Sequence, residues 1–469
     1  MKIKFRISSL IILAIFTVLS AMAECNPWLY FSVVIFIIIL TYCSFDFTEH
    51  VFFILFLLAF FTFLMGGQIA NDFFGYPMRY VSTKEDFDYL NFTIFLSLFF
   101  LGIGHMVGTY FDRNKKPLGI LSQKDSLSVV RRVSKAIFYF FSLSWFAVLI
   151  EQSIVVQNNR YVDLYTFESR LPGIVDQLAE ACPIILCIFL AAYPSKKEAR
   201  IPLLMVFLYA VLSLFIGRRI FFVTYLLLII AYLLIRTYGQ EQNREAWIDR
   251  KRIALIILLT PFILVFLYSY RYIRYDKAVE AASLLDAFVG FFAQQGFSAN
   301  LIVTGRKYAY LLTDDIYSFL STIRFLRINV FSRYVLGLDY TGYYRGDPVH
   351  LAKYSGAFSR AMSYILIPGL YKKGYGLGSC YIAELYHDFG YVGICLGNFV
   401  YGLLFGKVIK LKSGAFRSNV IALILFINFL TVARYNYDRP FAVFISFNFW
   451  TCVAIVYLIT YFFTARRKR

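Results

Sequence analysis

Apolar runs of about twenty residues, divided by short polar or charged breaks, recur from one end of the chain to the other. About 20 consecutive apolar residues in a helix span the hydrocarbon core of a bilayer. On that measure the pattern predicts helices at 7–23, 27–44, 50–69, 90–110, 136–156, 174–193, 201–216, 219–235, 253–270, 381–403, 419–432 and 441–463. The predicted fold class is therefore an all-α polytopic membrane protein of about 12 transmembrane helices. The runs at 201–216 and 219–235 are parted only by the Gly217-Arg218-Arg219 stretch. One helix through both would be far longer than a crossing needs, so a tight hairpin is expected there.

The pattern divides the chain into three parts. Residues 1–270 carry the first nine helices, 271–380 form one long segment, and 381–469 carry the last three helices. The long segment is rich in aromatic and aliphatic residues and does not read as a linker. Residues 282–303 predict a helix lying on the membrane or dipping into it. In 316–335, Ile316, Leu320, Ile323, Leu326, Val330 and Tyr334 fall at helical spacing, interrupted by Arg324, Arg327 and Arg333, as in an interfacial amphipathic helix. Lys2, Lys4 and Arg6 before the first run, with Ala21-Met22-Ala23 closing it, follow the grammar of a signal peptide. Its cleavage would remove one span and leave the orientation of the rest unchanged.

Charge sets that orientation. A net charge of +19 would point to nucleic acid in a soluble protein. Here 60% of residues are hydrophobic and 16% charged, against about 45–50% and 25% in soluble domains. The basic residues follow the membrane pattern instead, and no nucleic-acid partner is expected. With the N terminus inside, the cytoplasmic segments hold 26 Lys and Arg, against 8 in the short external ones. Long loops count little in this rule. Both termini are thus expected in the cytoplasm, and 271–380 outside it. Of seven cysteines, Cys43, Cys182, Cys187, Cys395 and Cys452 sit in apolar runs, while Cys25 and Cys380 fall near the external face, where a disulfide between them is conceivable. There is no C-x-x-C pair and no His/Cys cluster with zinc spacing, so no metal or other cofactor is expected.

Walker, G-x-S-x-G and H-E-x-x-H motifs are missing. What remains is a set of polar residues at the external helix ends. Arg218 and Arg219 in the hairpin are either anchors snorkelling to lipid phosphate or a bidentate phosphate clamp. Arg271 and Arg274, three apart beyond the ninth helix, carry the same two readings. Gly374, Gly376 and Gly378 form a flexible approach to the tenth helix, which begins near Tyr381. Glu384 sits about one turn into it, with His387 and Asp388 three and four positions later, near one face. A carboxylate at that depth needs a cation or a polar cavity; it is either half of an ion pair or a general base. His350 lies in the long segment. His105, inside the fourth helix, reads as a packing partner. Arg434, Asp438 and Arg439 cluster in the last external turn.

The stretch GLGSCYIAELYHDFGYVG at 376–393, within this topology and with a weaker echo at 216–219, resembles the O-antigen or oligosaccharide repeat-unit polymerases (Wzy-type). Some members of that family carry an Arg followed eleven residues later by Gly in a periplasmic loop, a spacing that Arg345 and Gly356 reproduce. The related O-antigen ligases carry a loop His in a longer Gly-containing motif that His350 does not reproduce. The resemblance implies a GT-C-like fold with a long periplasmic loop late in the chain. It also implies a metal-independent glycosyltransferase that passes a growing glycan from undecaprenyl pyrophosphate to a sugar hydroxyl of an incoming lipid-linked repeat unit. Glu384 would then be the base, with Asp388, His350 and His387 as alternates. Arg218, Arg219, Arg271, Arg274, Arg345 and Arg434, with Tyr381 and His387, would hold pyrophosphate and glycan. The implied partners are the undecaprenyl-pyrophosphate-linked oligosaccharide, membrane lipid, a chain-length regulator and a flippase. A lipid-linked oligosaccharide flippase or other transporter, and an O-antigen ligase, are the competing readings. A flippase should show polar residues at mid-bilayer on several helices, whereas here they gather at external ends.

Overall fold

The computed structural model describes residues 16–17, 25–113, 124–158, 167, 169–239, 246–274, 281–312, 316, 318–319 and 347–466. Most of the predicted first run, Arg345 and nearly all of the 316–335 amphipathic stretch lie outside these residues. Among those described, the regular elements are all helical. The α-helices of seven residues or more are α1 (Pro27–Cys43), α2 (Phe47–Phe60), α3 (Gly66–Phe74), α4 (Lys84–Arg113), α5 (Lys124–Asn158), α6 (Gly173–Ala191), α7 (Lys196–Phe215), α8 (Arg219–Tyr238) and α9 (Arg250–Arg274). Then come α10 (Leu284–Gln295), α11 (Phe297–Lys307), α12 (Pro348–Tyr354), α13 (Phe358–Leu366), α14 (Tyr381–Lys407), α15 (Phe416–Phe429), α16 (Arg439–Ile445) and α17 (Phe447–Arg466).

Ten runs among the described residues are long and apolar enough to cross a bilayer. The first, Pro27–Phe74, has 48 residues, too many for one crossing. It reverses at the turn Ser44–Asp46. Phe36 and Phe61 would be about 37 Å apart in one continuous helix, yet their rings lie 5.4 Å apart. The expected hairpin between α7 and α8 is also present, with Gly217 supplying a left-handed residue (φ 83°) that side chains rarely adopt. Exposed rings and aliphatic chains such as Phe140, Leu143, Ile257, Leu258 and Phe262 form an apolar exterior suited to lipid.

Polar contacts between helix ends fall into two sets at opposite ends of the bundle. At one end Arg306 meets Glu85 and Lys307 meets Asp86, each at 3.3 Å, and Asn26 bonds Asp88 at 2.6 Å. We call this the loop end, because α10–α13 gather there. At the other, basic end Arg131 meets Glu198 at 3.4 Å, and Lys410 and Lys412 meet Asp112 at 3.6 and 2.5 Å.

Two close backbone contacts set the frame. Gly104 and Gly108 of α4 face Gly402 and Gly406 of α14. A Cβ on Gly104 would lie 2.1 Å from the Phe399 carbonyl oxygen, and one on Gly402 2.1 Å from that of Leu101. Glycines spaced by four on both helices let the backbones touch, a common device where lipid removes the hydrophobic drive between helices. The second contact joins the α10–α11 turn to α3: a Cβ on Gly296 would lie 2.5 Å from the Gly67 Cα. Residues Ser298 to Gly305 of α11 are all buried. The single helix expected within 282–303 is thus two helices, α10 and α11, packed into the protein.

Three expectations need correcting. The run at 441–463 is not one helix: α16 ends at Ile445, Ser446 is extended (ψ 144°), and α17 begins at Phe447. α14 is broken at Gly390 (φ 61°, ψ −152°), so Glu384, His387 and Asp388 lie on a short leading helix ahead of the break. Cys25 and Cys380 are not joined in a disulfide; Cys380 is buried, and the Cys25 thiol lies 3.7 Å from the Asp72 carboxylate.

Candidate active site at the loop end

Glu384 is fully buried. The Gly-rich approach turns at Gly378 (φ 79°), which swings Ser379 back over the first turn of α14. The Ser379 hydroxyl donates to Glu384 Oε1, and the Tyr437 backbone N–H donates to Oε2 at 3.2 Å. Both bonds favour the ionised form of a carboxyl whose burial disfavours it. The partners are a hydroxyl and an amide rather than a cation. Each Glu384 oxygen keeps one lone pair in reserve.

Asp388, with no exposed side-chain surface, is bonded more fully. Oδ1 accepts from His387 Nδ1 at 2.9 Å and from the Ser318 N–H at 3.3 Å. Oδ2 accepts from the Phe319 N–H at 2.9 Å and from the Tyr437 hydroxyl at 3.1 Å. All four lone-pair sites are occupied, which suits a group that fixes geometry.

The turn between α15 and α16 closes the site. It is pinned by the Ser379 N–H on the Arg434 carbonyl (3.1 Å) and by the Tyr401 hydroxyl on the Tyr437 carbonyl. Arg434 donates to Gln295 Oε1 at 3.1 Å and stacks over Phe63 at 5.5 Å. Arg439 lies 3.7 Å over the Tyr435 ring, and its Nε is buried with no hydrogen-bond partner. Burial, with a smaller push from Asp388, moves the Asp438 carboxyl up to about 6, against the pull of Arg439 and of its own backbone N–H. Burial pushes the Tyr437 phenol up and holds the Arg439 guanidinium below its usual range.

The structure thus gathers Glu384, His387, Asp388 and Arg434, all singled out in the sequence, with Asp438 and Arg439 beside them. Tyr381 is buried beneath, its hydroxyl donating to Asn398 at 2.7 Å and its ring stacked on Tyr401 at 5.3 Å. His350 lies half-buried on α12. The following helix, α13, brings Phe358 to 5.4 Å from the His387 ring. Arg219 donates to the Leu267 carbonyl of α9 at 2.5 Å, and Arg218 lies 5.7 Å over Phe221. Arg271 and Arg274 fall in the last turn of α9, and their side chains lie outside the described set, as Arg345 does entirely. The sequence reading missed Ser379, Tyr437 and Gln295. Only Gln295 left a signal, as half of an adjacent amide pair in an apolar run. It also understated the buried amides nearby: Gln68 and Asn91, both at 0% exposure, have no hydrogen-bond partner on either side-chain atom.

These features define a polytopic membrane protein with a cluster of carboxylates and guanidinium groups at one end of its bundle. The family model described as O-antigen polysaccharide polymerase Wzy matches residues 3–467, and the chain belongs to that family. No curated protein and no solved structure matches it.

Proposed function

We propose that this protein polymerises lipid-linked oligosaccharide repeat units at the periplasmic face, with undecaprenyl pyrophosphate as leaving group. It would cross the membrane twelve times, counting residues 7–23, with the loop end periplasmic and both termini cytoplasmic. The observation that carries the reading is the carboxylate–guanidinium cluster at the loop end of a chain in this family.

In the proposed reaction an acceptor sugar hydroxyl attacks the anomeric carbon of the donor glycan. A C–O bond forms there, and the bond to the pyrophosphate oxygen breaks. The hydroxyl proton passes to Glu384, the carboxylate with lone pairs to spare, and the lipid pyrophosphate leaves with the electron pair. Arg439, with its unpartnered Nε, and Arg434 neutralise the departing charge. Asp388 holds Tyr437 and His387 in place. Deleting the gene should leave surface glycan of a single repeat unit on its anchor, and the wild-type gene should restore the ladder on a gel. Loss of even the single unit would indicate a flippase or ligase instead.

A further inference from the structure

At the basic end, three metal-ligating side chains converge from three helices. Cys43 ends α1, His50 lies in the first turn of α2, and His105 projects from α4; all are at most 1% exposed. His105 Nε2 lies 3.1 Å from His50 Nδ1 and 3.9 Å from Cys43 Sγ, and the three ligand atoms lie within 4.8 Å of one another. We propose that Cys43, His50 and His105 bind a zinc ion that ties the α1–α2 turn to α4.

Zinc bonds of about 2.0–2.1 Å to nitrogen and about 2.3 Å to sulfur give tetrahedral edges of about 3.3 Å (N to N) and 3.6 Å (N to S). The two shorter separations already lie within a few tenths of an ångström of those edges. His105 presents Nε2 to both of the other groups, so a single ion placed among the three atoms can take all of them as ligands. Phe53 at 3.9 Å from the His105 centroid and Tyr42 at 6.1 Å pack against the triad and keep it from water. A thiolate with two imidazoles selects zinc over magnesium or calcium. Binding displaces the Cys43 thiol proton to water. Lys410 at the same end is held by Glu49 at 3.8 Å and Asp112 at 3.6 Å, which balance its charge. No sequence spacing signals this site, because Cys43 and His105 lie on separate helices.

The test uses full-length protein purified in detergent, loaded with zinc, desalted and assayed for metal. About one zinc per chain is expected, falling at least fivefold in Cys43→Ser and His50→Ala. Cobalt-loaded wild type should show a near-ultraviolet thiolate-to-metal band that Cys43→Ser, different by one atom, lacks while keeping its size-exclusion profile. Wild type that holds essentially no zinc after loading, or variants that keep the wild-type content, would overturn the proposal.

Discussion

Asp438 and Arg439 are adjacent, and each is pushed toward its neutral form by burial. With its carboxyl at about 6, Asp438 is charged at pH 7 and neutral at pH 5. The folded state holds this proton more tightly than the unfolded chain, so the group costs stability above pH 6 and the cost fades as pH falls toward 4. Activity should follow the opposite course if the charged form keeps Arg439 oriented. Polymerisation by the purified protein should drop as pH falls from 7 to 5, with an inflection near 6, and Asp438→Asn should remove that inflection. An unchanged inflection in Asp438→Asn would assign it to another group. At Arg439, Ala should lower turnover about 10²-fold or more. Lys should recover only part, since it restores the charge but not the planar fork. Equal activity of wild type and Arg439→Ala, measured as glycan length per unit protein, would remove Arg439 from the site.

At the scale of elements, the α4–α14 contact holds the helix that carries Glu384. A Cβ on Gly402 would press on the Leu101 carbonyl, which is backbone and cannot swing aside. Gly402→Val should therefore overpack the contact by about 1–3 kcal/mol or more. It should shrink the monodisperse peak of a fluorescent fusion in detergent, whereas Val at Gly369, which has open space, should not. These elements also show what the sequence could reveal. Runs such as 174–193 and 219–235 matched α6 and α8 closely, because twenty apolar residues leave few alternatives to a helix in lipid. The break at Gly390 and the split at Ser446 escaped, since glycine and serine are both tolerated within membrane helices. Glu384 was legible because a carboxylate in an apolar run is rare. Its partners Ser379 and Tyr437 were not: one is a common hydroxyl, the other acts through its backbone.

At the scale of the whole molecule, polar contacts divide between two ends, and the proposed orientation puts the loop end outside. Ser283 is exposed at that end and Ser413 at the other, whereas Ser355 is buried and a poor reporter. Cysteine at Ser283 should react with an impermeant thiol reagent in cells with a permeabilised outer membrane, and cysteine at Ser413 only after lysis. The reverse pattern would invert the bundle. The proposed chemistry, however, turns on Glu384 activating the acceptor hydroxyl. The most direct measurement is chain extension by full-length protein in liposomes supplied with lipid-linked repeat units. Glu384→Gln should insert and purify like wild type yet extend chains about 10²–10⁴-fold more slowly, the usual contribution of a general base, with Glu384→Asp intermediate. A Glu384→Gln protein that builds ladders at the wild-type rate would rule Glu384 out as the base.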